Sequence, residues 1–306
     1  MSSWWSVGHL TVDDIVLPTG ETLMGVTGGA VAYSAVGAAL SGQAMGMISR
    51  IGENYPAETH RALVDAGLPL ALTPIEDPCI SQWAIYEEDG SRRFLLHPHS
   101  GDHDVNAPRP GDFPGWAEVE GLHIAPMPIS RQLEWIAAAS QRAIPLTLDP
   151  HHDSSLDEPQ AVWSALAEIH AFVPSELECS RLSPGSVSEA VARFLDAGVS
   201  IAAVKQAEKG CTIADRQQIW HVPACSGVTP VDVTGAGDAW CGAFAAALFA
   251  GATTPEAACW ANAAASVTIE YIGALTPLRD PKAIERMRRR YSALEPRELT
   301  RSALTD

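Results

Sequence analysis

Short apolar runs alternate along this chain with longer segments of helical period. The runs Trp4–Val7, Ala44–Ile48, Gly121–Ile124, Leu146–Leu148, Ala171–Val173 and Ile201–Val204 predict strands. Several are apolar throughout, as expected for parallel strands covered on both faces. Between them, Ala30–Leu40, Pro56–Ala66, Ser130–Ser140, Val187–Ala197, Ala236–Ala250 and Pro255–Ile269 predict helices. This alternation defines an α/β chain with a mainly parallel sheet. No repeat, low-complexity tract or linker interrupts it, so residues 1–306 read as one domain.

One stretch breaks the order. Ile80–His97 reads as a hairpin whose turn is Asp89-Gly90, a strong two-strand signal. Such a pair projects from a parallel sheet, and with Ile15–Val26 it predicts a small β lid. Projecting strands expose edges that need cover, which predicts a homodimer through the lid. Gly101–Trp116 has no period and reads as loop. The arginine-bearing Pro281–Ala293 segment reads as a solvated terminal helix.

Composition narrows the functions. Apolar residues make up 46% and charged residues 19%, a globular balance. Acids outnumber bases 37 to 20, for a net charge of −17. Eight of the bases lie beyond residue 278 beside five acids, so residues 1–278 hold 12 bases against 32 acids, a net of −20. A body of that sign repels polyanions and argues against nucleic-acid binding. No apolar run approaches the ~18 residues of a membrane span. Residues 1–8 lack the features of a secretory signal. The six cysteines show no C-x-x-C pair, which suits reduced thiols in a cytoplasmic protein.

The chemistry concentrates in Val231-Asp232-Val233-Thr234-Gly235-Ala236-Gly237-Asp238, followed by a helix of small and apolar residues. Glycines let the backbone approach a ligand. The N–H groups of the following helix N-terminus, aided by its dipole, form an anion site. Asp238, in the first helical turn, is placed to take a proton from an attacking hydroxyl. A plain helix start with a helix-favouring acid is the competing reading. Trp240 stands where a Rossmann fingerprint needs its third glycine, and the chain has no P-loop.

These residues strongly resemble the C-terminal signature of the ribokinase-like (PfkB) carbohydrate kinases. Gly28-Gly29 with Ala30–Leu40, then Met47–Glu53, is similar to the family's N-terminal signature. Asn262–Ser266 with Gly273-Ala274 resembles its last conserved segment. The resemblance implies a three-layer αβα sandwich with a mainly parallel central sheet and a small β lid. It implies transfer of the γ-phosphoryl group of ATP to a sugar, polyol or nucleoside hydroxyl. Asp238 would be the base, and the Gly235, Ala236, Gly237 and Asp238 amides the anion hole. Asp13, five residues after Gly8, would bind acceptor hydroxyls beside Thr11, Gly28, Gly29 and Tyr33. Read by itself, Asp13 is a turn residue.

On the nucleotide side the resemblance implies Ser175 and Glu178, which would organise Mg²⁺ through water, with Lys205, Lys209, Gly210 and Asn262. Ser175 stands where relatives often have Asn. It also implies a monovalent cation, K⁺, held by Asp232 and the carbonyls of Thr234, Thr268 and Gly273. Tyr33 replaces the Asn of ribokinases, and Ala30 their Lys, which disfavours ribose. Arg50 reads either as a contact to an acceptor anion or as a structural ion pair. His97, His99 and His103, with Asp102 and Asp104, read as lid residues, surface histidines or a zinc site; His151, His152 and Asp153 form a second group. A catalytically silent ligand-binding homologue and a metal-dependent hydrolase are the readings from other classes.

Overall fold

The computed structural model describes residues 3–88 and 92–299. The expected Asp89-Gly90 turn lies outside the described residues. The strands are β1 (Trp4–Val7), β2 (Thr11–Val16), β3 (Thr22–Gly28), β4 (Gly46–Gly52), β5 (Leu70–Ile75), β6 (Ile80–Tyr86), β7 (Arg92–Leu96), β8 (Gly121–Ile124), β9 (Leu146–Leu148), β10 (Ala171–Phe172), β11 (Ile201–Lys205), β12 (Cys211–Asp215), β13 (Ile219–Val222) and β14 (Arg297–Leu299). The α-helices are α1 (Ala30–Leu40), α2 (Ala57–Asp65), α3 (His103–Asn106), α4 (Ile129–Ser140), α5 (His152–Asp157), α6 (Pro159–Ala165), α7 (Glu176–Leu182), α8 (Val187–Asp196), α9 (Ala236–Phe249), α10 (Thr254–Thr268) and α11 (Ala283–Ser292).

Ten strands form one sheet in the order β14-β13-β12-β11-β10-β9-β8-β1-β4-β5. It is parallel from β5 to β11, and β12, β13 and β14 add antiparallel pairs at the far edge. Side chains alternate between two cores, as strand geometry requires. Phe172, Ala202 and Val204 join Leu122, Ile124 and Leu148 under α4, α6 and α8. Ala171, Val173, Ile201 and Ala203 face the other way, toward α9 and α10. The sheet therefore lies between two helical layers, as expected.

The second sheet is the lid, ordered β3-β2-β6-β7. It is larger than the expected 15–26 and 80–97, because pairing begins at Thr11 and continues to Gly28. The outer pairs are antiparallel, while β2 and β6 run parallel. Asp13 consequently stands within a lid strand, one connection beyond β1.

The α1–α9 contact fixes the floor beneath the lid. A Cβ on Gly37 would lie 2.0 Å from the Ala239 carbonyl oxygen, and one on Gly242 would lie 1.8 Å from the Ser34 oxygen. Only small residues permit backbones this close. All six cysteines are free thiols, and all but Cys225 are buried.

Candidate active site

Gly235 caps α9 in the left-handed region, at φ 69°. A Cβ there would lie 2.1 Å from the Tyr33 ring, so conformation and space both require glycine. The Ala236 N–H donates back to the Val233 carbonyl at 3.3 Å, so this amide of the expected anion hole is already engaged. The next amide belongs to Gly237, where a Cβ would lie 3.7 Å from Lys205 Nζ. Helix dipole and ammonium converge on the same space.

Lys205 ends β11. Its Nζ donates to Asp149 Oδ2 at 2.6 Å and to Cys241 Sγ at 3.1 Å. Asp149 follows β9, is 3% exposed, and leaves Oδ1 without a hydrogen-bond partner among the described residues. Burial works against the Lys205 charge, but the carboxylate beside it outweighs that and holds the ammonium above its usual range. Burial pushes Asp149 up to about 7, with Lys205 opposing. The two tendencies conflict if each group is taken alone. Contact at 2.6 Å within the protein favours the ionised pair at neutral pH.

Asp238 keeps some exposed surface, yet the protein around it removes most of its solvation. Burial pushes its carboxyl above the usual range, Lys205 pulls it down, and Glu178 pushes it up. Such a carboxylate is a stronger base than one in water, kept usable by a neighbouring cation.

Among the residues expected to bind the acceptor, Asp13 is 5% exposed. Its Oδ1 accepts from Thr11 Oγ1 at 2.8 Å and from Gln82 Nε2 at 3.1 Å. Burial pushes its carboxyl up to about 6, although both bonds oppose the shift. Its Oδ2 lies over Gly28, where a Cβ would meet it at 2.0 Å. Gly29 adopts φ +95° against the His9 carbonyl. Tyr33 is buried, and its hydroxyl is pushed up first by burial, then by the charges of Asp232 and Asp13. It therefore stands between the acceptor side and the Gly235 turn. Arg50 pairs with Asp112 at 2.7 Å and 3.0 Å and with the Val105 carbonyl, which is the structural ion-pair reading.

The nucleotide-side residues divide. Ser175 and Glu178 form a reciprocal capping box on α7, and the Glu178 charge is felt at both Asp149 and Asp238. Lys209 pairs with Glu176 on the surface. Gly210 takes φ +93° close to the Val222 carbonyl. Asn262 is buried, accepting from Trp240 Nε1 and donating to the Val222 and Pro223 carbonyls, so it braces the α9–α10 layer. Of the residues named for K⁺, Asp232 Oδ1 accepts from Thr234 N–H at 2.7 Å and from Tyr86 Oη at 2.5 Å. Thr268 Oγ1 donates within its own helix, and Gly273 (φ +81°) lies against Val26 of the lid.

The histidines are dispersed. His97 stacks on Trp83 and approaches Asp14, while the His103 carbonyl bonds His9. Among the described residues, the His, Cys and acid ligand atoms that gather closely enough for a metal belong to His151, His152 and Asp153. Sequence reasoning did not find Asp149, Gln82 or Tyr86 as site residues. An acid directly after the apolar run Leu146–Leu148 was the available signal for the first.

Comparison with known proteins identifies the family. The pfkB family carbohydrate kinase model matches residues 7–281. The cytidine kinase of Thermococcus kodakarensis is 25% identical over 255 residues, spanning 82% of this chain and 90% of that one. A fructokinase of Klebsiella pneumoniae is 29% identical over 269 residues, 81% and 83% of the two chains. The structure of Arabidopsis thaliana ribokinase complexed with ribose and ATP superposes with a TM-score of 0.77 at 22% identity, covering 94% of this chain and 99% of that one. The chain belongs to the pfkB family of carbohydrate kinases. It is a kinase, and ATP-dependent phosphoryl transfer to a small acceptor is its class of reaction.

Proposed function

We propose that the acceptor is a small polyhydroxyl compound, a sugar or polyol, held between Asp13 and Asp238. The observation that carries this reading is the convergence of a desolvated Asp238, the α9 N-terminus and the Lys205 ammonium on one space. Asp238 takes the proton of the acceptor hydroxyl as its oxygen attacks the γ-phosphorus. The bond from that phosphorus to the β-phosphate oxygen breaks, and ADP leaves. The Gly235–Asp238 turn and Lys205 face the charge that spreads over the transferring group, so positioning and charge stabilisation dominate. Asp13 would accept hydrogen bonds from vicinal hydroxyls.

Mg²⁺ would supply phosphate charge neutralisation when bound. Glu178 is a hard oxygen donor that fits it through water, and Asp149 Oδ1, buried without a partner among the described residues, is a second oxygen in the same neighbourhood. Asp232 and the Thr234, Thr268 and Gly273 carbonyls would hold K⁺.

A nucleoside is the second reading, favoured by the inner lid face. Phe94 and Leu96 pair in register with Ala84 and Gln82, which places them on the face that carries Asp13. They are 42% and 53% exposed. A diol on Asp13 and a flat apolar ring one or two strand spacings away, roughly 5–10 Å, would match. We also infer a cytoplasmic homodimer joined through the lid, whose edge strand β7 carries Leu95 at 50% exposure.

The test is ADP release with Mg·ATP across pentoses, hexoses, inositols and nucleosides. Asp238→Asn should lower kcat by about 10²–10⁴ while acceptor binding by calorimetry persists. Equal loss of binding and turnover would contradict the role given to Asp238.

A further inference from the structure

We propose that Tyr86 is a positioning residue whose hydroxyl fastens the lid to the turn that receives the phosphoryl group. Closing over the acceptor and shaping that turn would then be one event. This inference rests on the kinase reading and concerns how its site is assembled.

Tyr86 ends β6 on the same face as Gln82 and Ala84. Its hydroxyl lies 2.5 Å from Asp232 Oδ1 and 2.9 Å from Thr234 Oγ1, residues 146 and 148 positions away. The carboxylate can only accept, so the tyrosine proton points to it. The Thr234 hydroxyl then donates to Tyr86 Oη. The Thr234 N–H reaches the same Oδ1 at 2.7 Å, which closes a ring of three hydrogen bonds.

The ring holds the turn from one side. From the other, the N–H groups of Val231 and Asp232 both donate to the Ile269 carbonyl, at 2.7 Å and 3.1 Å. Thr234 leads directly into Gly235, whose left-handed conformation starts the anion site. Asp232 is only 2% exposed, so a donor lost from its carboxylate is not simply replaced by bulk water. A second lid contact accompanies the first: Val26 Cγ1 lies 2.6 Å from where a Gly273 Cβ would be.

Lifting the lid withdraws the tyrosine and leaves the Thr234–Gly235 corner without one of its anchors. An acceptor that holds the lid down also holds the corner in its receiving shape. The coupling is reciprocal, as linkage requires.

Tyr86→Phe keeps the ring and removes the hydroxyl. It should lower kcat by roughly 10–100-fold, the range for losing a hydrogen bond to a charged group, with much less change in the KM for ATP. In ligand-free protein, amide hydrogen exchange should accelerate in residues 80–86 and also in 231–236. Thr234→Val, which removes only the donor to Tyr86, should do the same more weakly. The Tyr86→Phe/Asp232→Asn double variant should be no worse than the worse single. Acceleration confined to the lid, or multiplicative losses in the double variant, would overturn the proposal. Exchange needs neither ATP nor a known acceptor, so it remains decisive even if the proposed acceptor and the role given to Asp238 fail.

Discussion

Lys205 controls two neighbours through one charge. Its ammonium lies 3.7 Å from where a Gly237 Cβ would be and lowers the proton affinity of Asp238, which burial and Glu178 raise. A base held above the usual carboxylate range must lose its proton before it can act. The acid limb of the kcat profile should therefore lie above that range. Lys205→Met removes the opposing charge, so the limb should move to still higher pH, and kcat should fall by roughly 10²–10³, as for loss of an oxyanion donor. A limb that moves down would refute the electrostatic assignment. Asp13 acts in its own window. Its carboxyl, pushed up to about 6, is increasingly protonated as pH falls through that value and, in the proposed acceptor role, would then accept fewer hydroxyl bonds. Acceptor KM should rise below pH ~6. Asp13→Asn should raise KM at all pH values and flatten the dependence, read from initial rates at saturating ATP.

At the scale of elements, the contact between α1 and α9 is the tightest constraint. Gly242→Ala would place a methyl 1.8 Å from the Ser34 carbonyl oxygen and force the helices apart. The expected cost is about 1–3 kcal/mol or more. It should appear as a fall of several degrees in Tm, and an unchanged melt would show that the helices separate freely. Elements with strong local signals were legible in the sequence. α1, β1, β8 and β9 have the expected limits, and α9 and α10 match to within one residue at each end. β5 was not seen, because Pro74 interrupts its run; as an edge strand it tolerates that proline. Ser175 and Glu178 looked like metal-side residues, but that spacing is also a capping box, and it caps α7. The glycines and Asp238 pointed to the proposed site because their chemistry is local. Asp149 and Tyr86 did not, because each acquires meaning from a partner 56 or 146 positions away.

For the whole molecule, placement follows from topology. His9, Asp149, Ser175 and Lys205 all stand at or just beyond the carboxyl ends of parallel strands, where open α/β sheets gather ligand-binding groups. The lid covers that edge, tied to α2 by Thr59 Oγ1 donating to the Gly25 carbonyl at 2.7 Å. Its own free edge, β7, bears on the assembly. Light scattering should give twice the 32.5 kDa chain mass, and Leu95→Glu should return it to one. A monomeric mass for the unaltered chain would remove the proposed dimer.

The glycine-to-carbonyl contacts between α1 and α9 carry a consequence for diversification. Tyr33 belongs to one of these helices and Asp238 to the other, so neither can shift without disturbing both. Side chains such as Gln82 on β6 and Phe94 and Leu96 on β7 carry no such restriction, whereas Tyr86 at the end of β6 is bound to the Thr234–Gly235 corner through Asp232. New acceptor preferences should therefore arise by changing residues such as Gln82, Phe94 and Leu96 while the phosphate-handling half is inherited intact. Exchanging those side chains between relatives, with Tyr86 kept, would change what is phosphorylated and leave how it is phosphorylated alone.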